Sequence, residues 1–303
     1  MSKVFRPRRS VLYMPGSNTR ALEKGRSLPA DGLILDLEDA VAADAKVQAR
    51  DNIMAAVEAG GYGYRELIVR INAFSTPWGF DDLTAVCASQ AHAVLLPKVE
   101  SADTVRQAES VMAAQGAPDD MAIWAMMETP LSMLHAEEIA GASPRLACLV
   151  MGTSDLAKDL HASHTKDRMP MMTSLGLCLL AARAFHLDIL DGVHLDLRDD
   201  EGLAYSCRQG ADMGFDGKTL IHPRTIGIAN EAFSPSTDEV AWSHKIIAAH
   251  AEAVAQGKGV ALFEGKLIEN LHVENAQRMV ALAQAIAERE AEDASAPQAA
   301  AGE

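Results

Sequence analysis

Carboxylate side chains in this sequence follow short apolar segments, and their types are those that bind a hard metal ion. Glu128 and Asp155 follow two successive segments, and the other candidates near them are carboxylates rather than histidine or cysteine. Two carboxylates with waters in the remaining positions suit Mg²⁺ or Mn²⁺ better than Zn²⁺. Arg70 ends another segment, and its planar fork can donate two hydrogen bonds to a carbonyl or carboxylate oxygen. The alternative is a buried Arg70–Glu128 ion pair without a metal.

A second polar segment could hold a phosphate group. Tyr13-Met14-Pro15-Gly16-Ser17-Asn18 leads into a predicted helix that contains Arg20 and Lys24. A Gly/Ser turn at the start of a helix can cradle a phosphate, and two basic side chains add positive charge. Pro-Gly turns before helices are mostly structural, so this motif is weak alone. Together with a neighbouring metal site, it predicts a substrate that carries phosphate.

These side chains are positioned by eight short apolar runs that alternate with longer amphipathic segments, a pattern typical of a parallel sheet with helices. The runs are almost continuously apolar, as in strands buried on both faces. The predicted strands are Ser10–Met14, Gly32–Asp36, Leu67–Ile71, Ala93–Pro97, Ala122–Met126, Cys148–Met151, Asp188–Leu190 and Gly217–Ile221. The count favours an α/β fold of the (β/α)₈ TIM-barrel type, and a doubly wound open sheet is the alternative.

Polar residues stand at the C-terminal ends of the predicted strands from the second to the seventh, and the eighth strand carries Lys218 and is followed by His222-Pro223. They are Asp36-Leu37-Glu38-Asp39, Arg70-Ile71-Asn72, Pro97-Lys98-Val99-Glu100, Glu128-Thr129, Gly152-Thr153-Ser154-Asp155, Asp191-Gly192, and Lys218 with His222-Pro223. One such group would usually be a capped strand end, because charged groups are rare in cores unless they are paired. A full ring of them predicts an active site at the barrel mouth, where enzymes of this fold place their catalytic residues.

The pattern changes after the eighth strand, which predicts a second part of the chain. Helical patterns cover Asp238–Ala255 and Leu271–Ala287, and a short segment, Val260–Gly265, lies between them. We therefore expect a barrel over residues 8–230, a C-terminal helical lid or oligomerisation segment over 231–289, and a disordered tail over 290–303. The tail is rich in Ala and Glu and has no periodic apolar face.

Composition excludes several classes of partner. The formal net charge of −15 argues against a general nucleic-acid binder, which needs a basic face. No apolar run approaches the roughly 18 residues of a membrane span, and the basic N-terminal segment leads into a strand pattern rather than a signal peptide. Four cysteines lie far apart, and three of them stand in apolar surroundings. Reduced core thiols of this kind predict a cytoplasmic protein.

Several ordered motifs resemble the citrate lyase β-subunit-like family, the malyl-CoA and citramalyl-CoA lyase branch of the HpcH/HpaI aldolase superfamily. The resemblance extends from about Arg8 to Ala287 and is carried by Arg9-Ser10, Pro15-Gly16, Glu23-Lys24, Leu35-Asp36-Leu37-Glu38-Asp39-Ala40-Val41, Val69-Arg70-Ile71-Asn72, Pro97-Lys98, Met127-Glu128-Thr129, Gly152-Thr153-Ser154-Asp155-Leu156 and Ile221-His222-Pro223.

The resemblance implies a role for each group at the barrel mouth. Glu128 and Asp155 would bind Mg²⁺, and Arg70 would contact the carbonyl oxygen under attack. Asp36 and Glu38 would order Arg70 and metal-bound waters. Residues implied to bind CoA or substrate are Tyr13, Pro15, Gly16, Asn18, Arg20, Lys24, Lys98, Gly152, Thr153 and Ser154. Asn18 departs from the basic residue that the family often has, and Arg20 is the candidate to replace that charge. The family also implies a homotrimer or homohexamer.

The resemblance favours a Mg²⁺-dependent lyase that cleaves a β-hydroxyacyl-CoA, such as (3S)-malyl-CoA or citramalyl-CoA, to an acyl-CoA and a 2-oxo acid. One departure favours other chemistry: Glu269 stands where several relatives have an aspartate that is thought to be the acid/base. This segment also looks similar to (3S)-malyl-CoA thioesterases, which hydrolyse the thioester, so that activity is the alternative. Glu269 could otherwise only cap the last helix. A third possibility is a citrate lyase β-type subunit that acts on carrier-bound substrate.

Overall fold

Eight parallel strands pair in the order of the sequence, and the last strand returns to the first to close a barrel in the computed structural model, which describes residues 6–295. The strands are β1 (Ser10–Pro15), β2 (Gly32–Asp36), β3 (Glu66–Arg70), β4 (Ala93–Leu96), β5 (Ala122–Met127), β6 (Leu146–Met151), β7 (Asp188–Asp191) and β8 (Gly217–Leu220). The (β/α)₈ prediction is confirmed, and the open-sheet alternative is wrong.

Helices connect the strands and form the outer layer of the barrel. They are α1 (Thr19–Gly25), α2 (Lys46–Ala59), α3 (Gly79–Cys87), α4 (Ala102–Ala114), α5 (Pro130–Leu134), α6 (Ala136–Ala140), α7 (Thr153–Asp159), α8 (Met172–Ala184), α9 (Asp200–Met213) and α10 (Ile226–Ala232). No helix within residues 6–295 has the length and apolar character needed to cross a membrane.

Each strand buries two faces, and the two faces belong to separate apolar clusters. The cluster inside the ring of strands is Val11, Ile34, Ile68, Ala93, Leu95, Trp124, Met126, Cys148, Val150 and Leu190. Alternate residues of the same strands, such as Leu33 and Leu35, pack outward in the larger cluster under the helices. This two-sided burial explains why the strands are continuously apolar in sequence. The four cysteines are buried and unpaired.

Ion pairs close the N-terminal end of the barrel beneath the inner cluster. Arg8 donates from Nε and Nη2 to Glu66 at 2.7 and 2.8 Å and also binds Asp188. Its guanidinium lies 4.8 Å from the centre of the Trp124 ring. Arg9 binds Asp31 through its backbone N–H at 2.8 Å and its Nε at 2.9 Å. These basic residues therefore anchor the entry of β1 within the barrel.

The seam between β1 and β8 joins strands that are distant in the sequence. Ser10 and Val11 pair with Lys218 and Thr219, and the Lys218 N–H donates to Arg9 O at 3.1 Å. The approach is so close that a β-carbon on Gly217 would stand 1.8 Å from Arg8 O. A side chain at Gly217 would therefore separate the strands at this point.

The chain divides into two compact units, and the barrel unit is Arg8–Phe233. In the other unit, α11 (Thr237–Ala255) begins with a capping box of Ser236 and Glu239. A hairpin of β9 (Ala261–Phe263) and β10 (Lys266–Ile268) follows. Its turn residues, Glu264 and Gly265, both have positive φ, as a tight hairpin turn requires.

The last helix, α12, extends over Asn270–Ser295. It continues past Glu290, where we expected the disordered tail to begin, so that boundary is wrong for residues 290–295. Ala and Glu have high helix propensity, which supports a helix without a periodic apolar face. The remainder of the expected tail, residues 296–303, lies outside the described residues.

Candidate active site

A cavity of about 340 Å³ opens at the C-terminal ends of the strands. Eight of the side chains or backbone segments that the sequence predicted for the site line it: Tyr13, Asp36, Arg70, Glu128, Gly152, Thr153, Ser154 and Asp155. Met126, Met151, Val193, Leu195 and Ile221 give the cavity an apolar part. The cavity thus combines charged groups from several strands with an apolar wall, as ligand sites commonly do.

Arg70 is fixed in one orientation by two buried carboxylates. Its Nε and Nη2 donate to the two oxygens of Asp36, each at 2.7 Å, and Nη1 lies 3.0 Å from Glu38 Oε2. The ring of Tyr13 lies 4.9 Å from the guanidinium carbon. Burial alone would lower the pKa of Arg70, but the hydrogen bonds to Asp36 and the negative charges of Asp36 and Glu38 together outweigh burial, and the pKa is raised. Arg70 therefore carries a permanent, preoriented positive charge.

The Arg70–Glu128 ion pair that the sequence left open is not formed, since the ion-pair partners of Arg70 among residues 6–295 are Asp36, Glu38 and Asp39. Glu128 is buried, and its Oε1 accepts the backbone N–H of Lys98 at 2.7 Å. Burial raises the pKa of this carboxyl to about 7. A positively charged partner would stabilise the ionised form of this buried carboxyl.

Lys98 lies between two carboxylates of the site. Its backbone is left-handed, with φ of 47°, and this conformation accompanies the bond from its N–H to Glu128. Its Nζ donates to Glu38 Oε1 at 2.6 Å. Within the chain Lys98 contacts the carboxylates of the barrel mouth, and its contact with CoA or substrate stays a prediction.

Gly152 creates room for Glu128. A β-carbon at Gly152 would stand 2.3 Å from the Glu128 β-carbon and 2.6 Å from Oε2, which no side chain could accommodate without movement. The Gly152 N–H donates to Met127 O at 2.9 Å, so the two strand ends are held at this separation. The glycine is required by the close approach of β5 and β6.

The donor set of the cavity suits a hard divalent cation. Glu128 contributes a buried carboxylate, and Asp155, half-buried in the first turn of α7, lines the same cavity. No group of three or more His, Cys, Asp or Glu side chains within residues 6–295 is arranged to hold a metal. The protein would thus supply two oxygen ligands, and water or substrate the others, as Mg²⁺ commonly requires.

The turn before α1 differs from a phosphate cradle. The N–H of Gly16 donates to Asp36 O at 2.9 Å, and the N–H of Asn18 donates to Pro15 O at 3.0 Å. The Asn18 side chain caps α1 by accepting from Ala21 N. These two amide donors are therefore occupied by the fold. Basic charge on α1 comes from Arg20 and Lys24, which are both exposed.

The first turn of α7 has no side-chain cap, since its N-cap residue is Gly152. Thr153 is buried at the start of this helix and Ser154 is half-buried. The Ser154 hydroxyl is buried and has no hydrogen-bond partner in the part of the chain that the structure describes. It is the polar atom of this cavity that most clearly lacks a partner.

Other members of the predicted ring lie away from the cavity. Asn72 is tied to α3, because its N–H and its side-chain amide both donate to Asp82 Oδ2. The His222 ring accepts from Arg224 N and caps the turn after β8. Asp191 and Lys218 bind each other at 2.8 Å on the helix side of the strands, near α9. The strand ends alternate in direction, so only some of them face inward.

Glu269 lies in the C-terminal unit, between β10 and α12. Its N–H donates to His272 Nδ1 at 3.1 Å, and its carbonyl accepts from the His272 N–H at 3.0 Å. The residue therefore begins α12 through its backbone. Its carboxylate is exposed and makes no hydrogen bond within the described residues.

Lys46 supports the segment after β2, a contact that the sequence analysis missed. It is buried, and its Nζ donates to the carbonyls of Leu37 and Glu38 at 2.8 and 2.7 Å. Burial lowers its pKa despite the nearby carboxylates. Lys46 opens helix α2, and a lysine at a helix start gave no signal that it folds back on the segment after β2.

This chain is similar to known proteins in both sequence and structure. The model of the HpcH/HpaI aldolase/citrate lyase family matches residues 9–223. A (3S)-malyl-CoA thioesterase of Cereibacter sphaeroides is 51% identical over 287 residues, covering 95% of this chain and 98% of that protein. The human mitochondrial citramalyl-CoA lyase is 33% identical, covering 93% and 87%. The crystal structure of CitE from Mycobacterium tuberculosis with magnesium, acetoacetate and coenzyme A superimposes with a TM-score of 0.73, at 31% identity, covering 92% and 98%.

Proposed function

This chain belongs to the HpcH/HpaI aldolase/citrate lyase family, and we propose that it is a Mg²⁺-dependent thioesterase that hydrolyses (3S)-malyl-CoA to malate and CoA. The observation that carries this choice is the 51% identity to (3S)-malyl-CoA thioesterases over nearly the full length of both chains. Identity to the citramalyl-CoA lyase is 33%. The sequence analysis placed the lyase first, and the comparisons favour its alternative.

Glu128 and Asp155 would hold the metal, because they are carboxylates of adjacent strand ends that line one cavity. Glu128 already accepts one backbone N–H through Oε1, which fixes its orientation. A bound Mg²⁺ would polarise a carbonyl oxygen and offset the negative charge that develops on it. The neighbouring Gly152 leaves the space that this arrangement requires.

Arg70 would stabilise the thioester carbonyl oxygen when water attacks. Attack forms a C–O bond and places negative charge on that oxygen, and collapse breaks the C–S bond to release the CoA thiol. Asp36 and Glu38 hold Arg70 before substrate binds, so little reorganisation is needed as the charge develops. The Ser154 hydroxyl is an unused donor of a residue that lines the cavity, and it would bind a substrate oxygen.

The proton of the attacking water requires a base, and we propose Glu269 for this role from its position in the sequence. Its carboxylate is exposed and makes no hydrogen bond within the C-terminal unit. An aspartate would carry the carboxylate about one ångström less far, and misplacement on that scale can cost ~10²-fold. The C-terminal unit would then act as a lid, and the protein as a homotrimer or homohexamer, which sedimentation velocity measures.

A lyase is the second candidate, because the same Arg70 and metal ligands could polarise the carbonyl that forms when a β-hydroxyacyl-CoA is cleaved. The similarity to the citramalyl-CoA lyase and to the CitE complex with acetoacetate and coenzyme A favours it. The two reactions differ in the bond that breaks: C–S in the thioesterase, and C–C in the lyase. Their products are therefore distinct.

The test follows free CoA thiol and glyoxylate in parallel, with purified protein, Mg²⁺ and (3S)-malyl-CoA. Thiol and malate without glyoxylate support the thioesterase, whereas glyoxylate with acetyl-CoA and no early thiol supports the lyase. Glu269→Asp should lower thiol release, and any rise in glyoxylate would connect this position to the choice between the reactions. Activity unchanged by EDTA would contradict the metal assignment, and activity only on a carrier-bound thioester would indicate a citrate lyase β-type subunit.

A further inference from the structure

A second cavity, of about 290 Å³, lies at the same end of the barrel but outside the ring of strands. It is enclosed by the segments 163–171 and 193–199, by β8 and by α9. Thr153, Val193 and Leu195 line both this cavity and the candidate active site, so the two spaces share a wall. We call it the side cavity.

The inner end of the side cavity carries an excess of buried positive charge. Asp191 is fully buried and lies between two cations: Lys218 Nζ donates to Oδ2 at 2.8 Å, and Arg168 Nη1 donates to both oxygens at 2.8 and 2.6 Å. Arg168 and Lys218 line the cavity. One carboxylate against two cations leaves one positive charge unmatched, and a buried charge without a counter-charge is costly.

Unused hydrogen-bond donors face the same space. Lys218 is 1% exposed, and its Nζ, which has three N–H groups, makes one hydrogen bond within the described residues. His194 Nε2 is buried and has no partner there. Both residues line the cavity together with the hydroxyl-bearing Thr153 and Ser206. Lys218 can thus donate two further hydrogen bonds to one acceptor, and His194 can donate another in the tautomer that carries the proton on Nε2.

The acidic groups of the side cavity are already engaged by its rim. Asp199 accepts the N–H of Gly202 at 2.8 Å and caps α9, and Asp196 accepts the N–H of Arg198 at 2.9 Å. Asp196 is exposed and Asp199 is half-buried, whereas Lys218 lies at the closed end. The exposed Lys166 adds further positive charge at the opening. The two backbone bonds leave the charges of Asp196 and Asp199 in place, so the preference for an anion rests on the depth of Lys218, which is buried in the wall whereas Asp196 is exposed and Asp199 half-buried.

We propose that the side cavity binds a small oxyanion, a carboxylate or inorganic phosphate, through Lys218 and His194. The anion would match the unpaired buried charge and accept the unused donors. Since Thr153 begins α7, which also carries Ser154 and Asp155, an occupied side cavity contacts the element that lines the active site. This proposal stands independently of whether the enzyme is a thioesterase or a lyase.

Isothermal titration of the full chain with inorganic phosphate and with malate, in EDTA and at constant ionic strength, tests it. Wild type should bind one ion per chain. Lys218→Met should weaken binding at least about tenfold, because a hydrogen bond to a charged group is lost. Lys158→Met is the matched control, since Lys158 is exposed on α7 and does not line the cavity. It should bind as wild type does.

His194→Leu keeps the buried ion pairs and removes one donor, so it decides the test if Lys218→Met does not fold, as judged by circular dichroism. Binding of phosphate alone identifies a tetrahedral oxyanion, and binding of malate alone identifies a carboxylate; either supports the proposal. It is overturned if wild type binds neither ion at millimolar concentration. Equal affinity in wild type, Lys218→Met and His194→Leu would also overturn it.

Discussion

Replacement of Lys98 separates two roles for this residue. The family resemblance implied a contact with CoA or substrate, whereas the structure shows its Nζ on Glu38 and its N–H on Glu128. Lys98→Gly removes the ammonium but keeps the N–H, and glycine adopts the left-handed backbone, here with φ of 47°, without strain. Lys98→Ala removes the same ammonium and keeps the strain. The pair therefore distinguishes the loss of charge from a change in backbone stability.

The size of the expected decrease in kcat follows from the contact between Lys98 and Glu38. A hydrogen bond between charged groups contributes about 1.5–3 kcal/mol, but the Lys98 side chain is 42% exposed, so solvent screening reduces this to about 1 kcal/mol. If Glu38 holds Arg70 for the reaction, that loss corresponds to a roughly fivefold decrease in kcat. Both variants should show it. Lys98→Ala should also be less stable to urea than Lys98→Gly, by about 1 kcal/mol.

The assay measures kcat, KM for the CoA ester and the inhibition constant of free CoA, with Lys98→Arg as the charge-conserving control. We expect kcat to fall in the Gly and Ala variants, a partial recovery in the Arg variant, and an unchanged inhibition constant for CoA. A large rise in the inhibition constant with unchanged kcat would refute this reasoning. Lys98 would then be a CoA contact, as the resemblance implied.

Two further predictions concern the strand ends. Gly152→Ala should displace Glu128 and reduce Mg²⁺-dependent activity by ~10²-fold or more. Gly227→Ala is the control, because a β-carbon there meets nothing within 4 Å, and its activity should be unchanged. Equal activities of the two variants in steady-state assays would contradict the argument that β5 and β6 approach too closely for a side chain. Burial alone would raise the pKa of Asp191, but its two cationic partners lower it. The contribution of the Asp191 ion pairs to the free energy of unfolding should be fully present above about pH 3.9, the pKa of this carboxyl in the unfolded chain. It should be lost as the pH falls through the lower pKa of the folded protein. Asp191→Asn should cost about 3–5 kcal/mol at pH 7, and urea unfolding should show this difference shrinking below about pH 4; a constant difference down to pH 2 would refute it.

The strands were predictable because each is buried on two faces. Burial on both faces requires a continuous apolar run, which turn segments do not contain. Arg70 and Glu128 could be placed at the barrel mouth because the C-terminal ends of the strands converge there. It was harder to predict whether a polar side chain at a strand end points into the barrel or toward the helices. Asp191 also stands at a strand end, and Lys218 lies opposite it in β8. Both side chains point to the helix layer, since a shift of one residue along a strand reverses the face that a side chain occupies.

Contacts made by the backbone could not be predicted from residue types. The left-handed φ of Lys98 and the bond from its N–H to Glu128 leave no mark in the sequence, because lysine rarely adopts that conformation. The hairpin strand β10 was missed since Lys266 and Leu267 are both exposed and give no alternating pattern. The partner of the Gly16 N–H could not be predicted either, because it is the Asp36 carbonyl of another strand.

The seam between β1 and β8 has a consequence for synthesis of the protein. Ser10 pairs with Lys218 of β8, which follows it by 208 positions (218 − 10), so β1 emerges from the ribosome long before its second neighbour exists. Throughout that interval one edge of β1 is an open template for another chain. Arg8 and Arg9 stand at that edge, and charge there discourages edge-to-edge association. The anchor of the finished barrel would thus also protect the nascent chain until its last strand arrives.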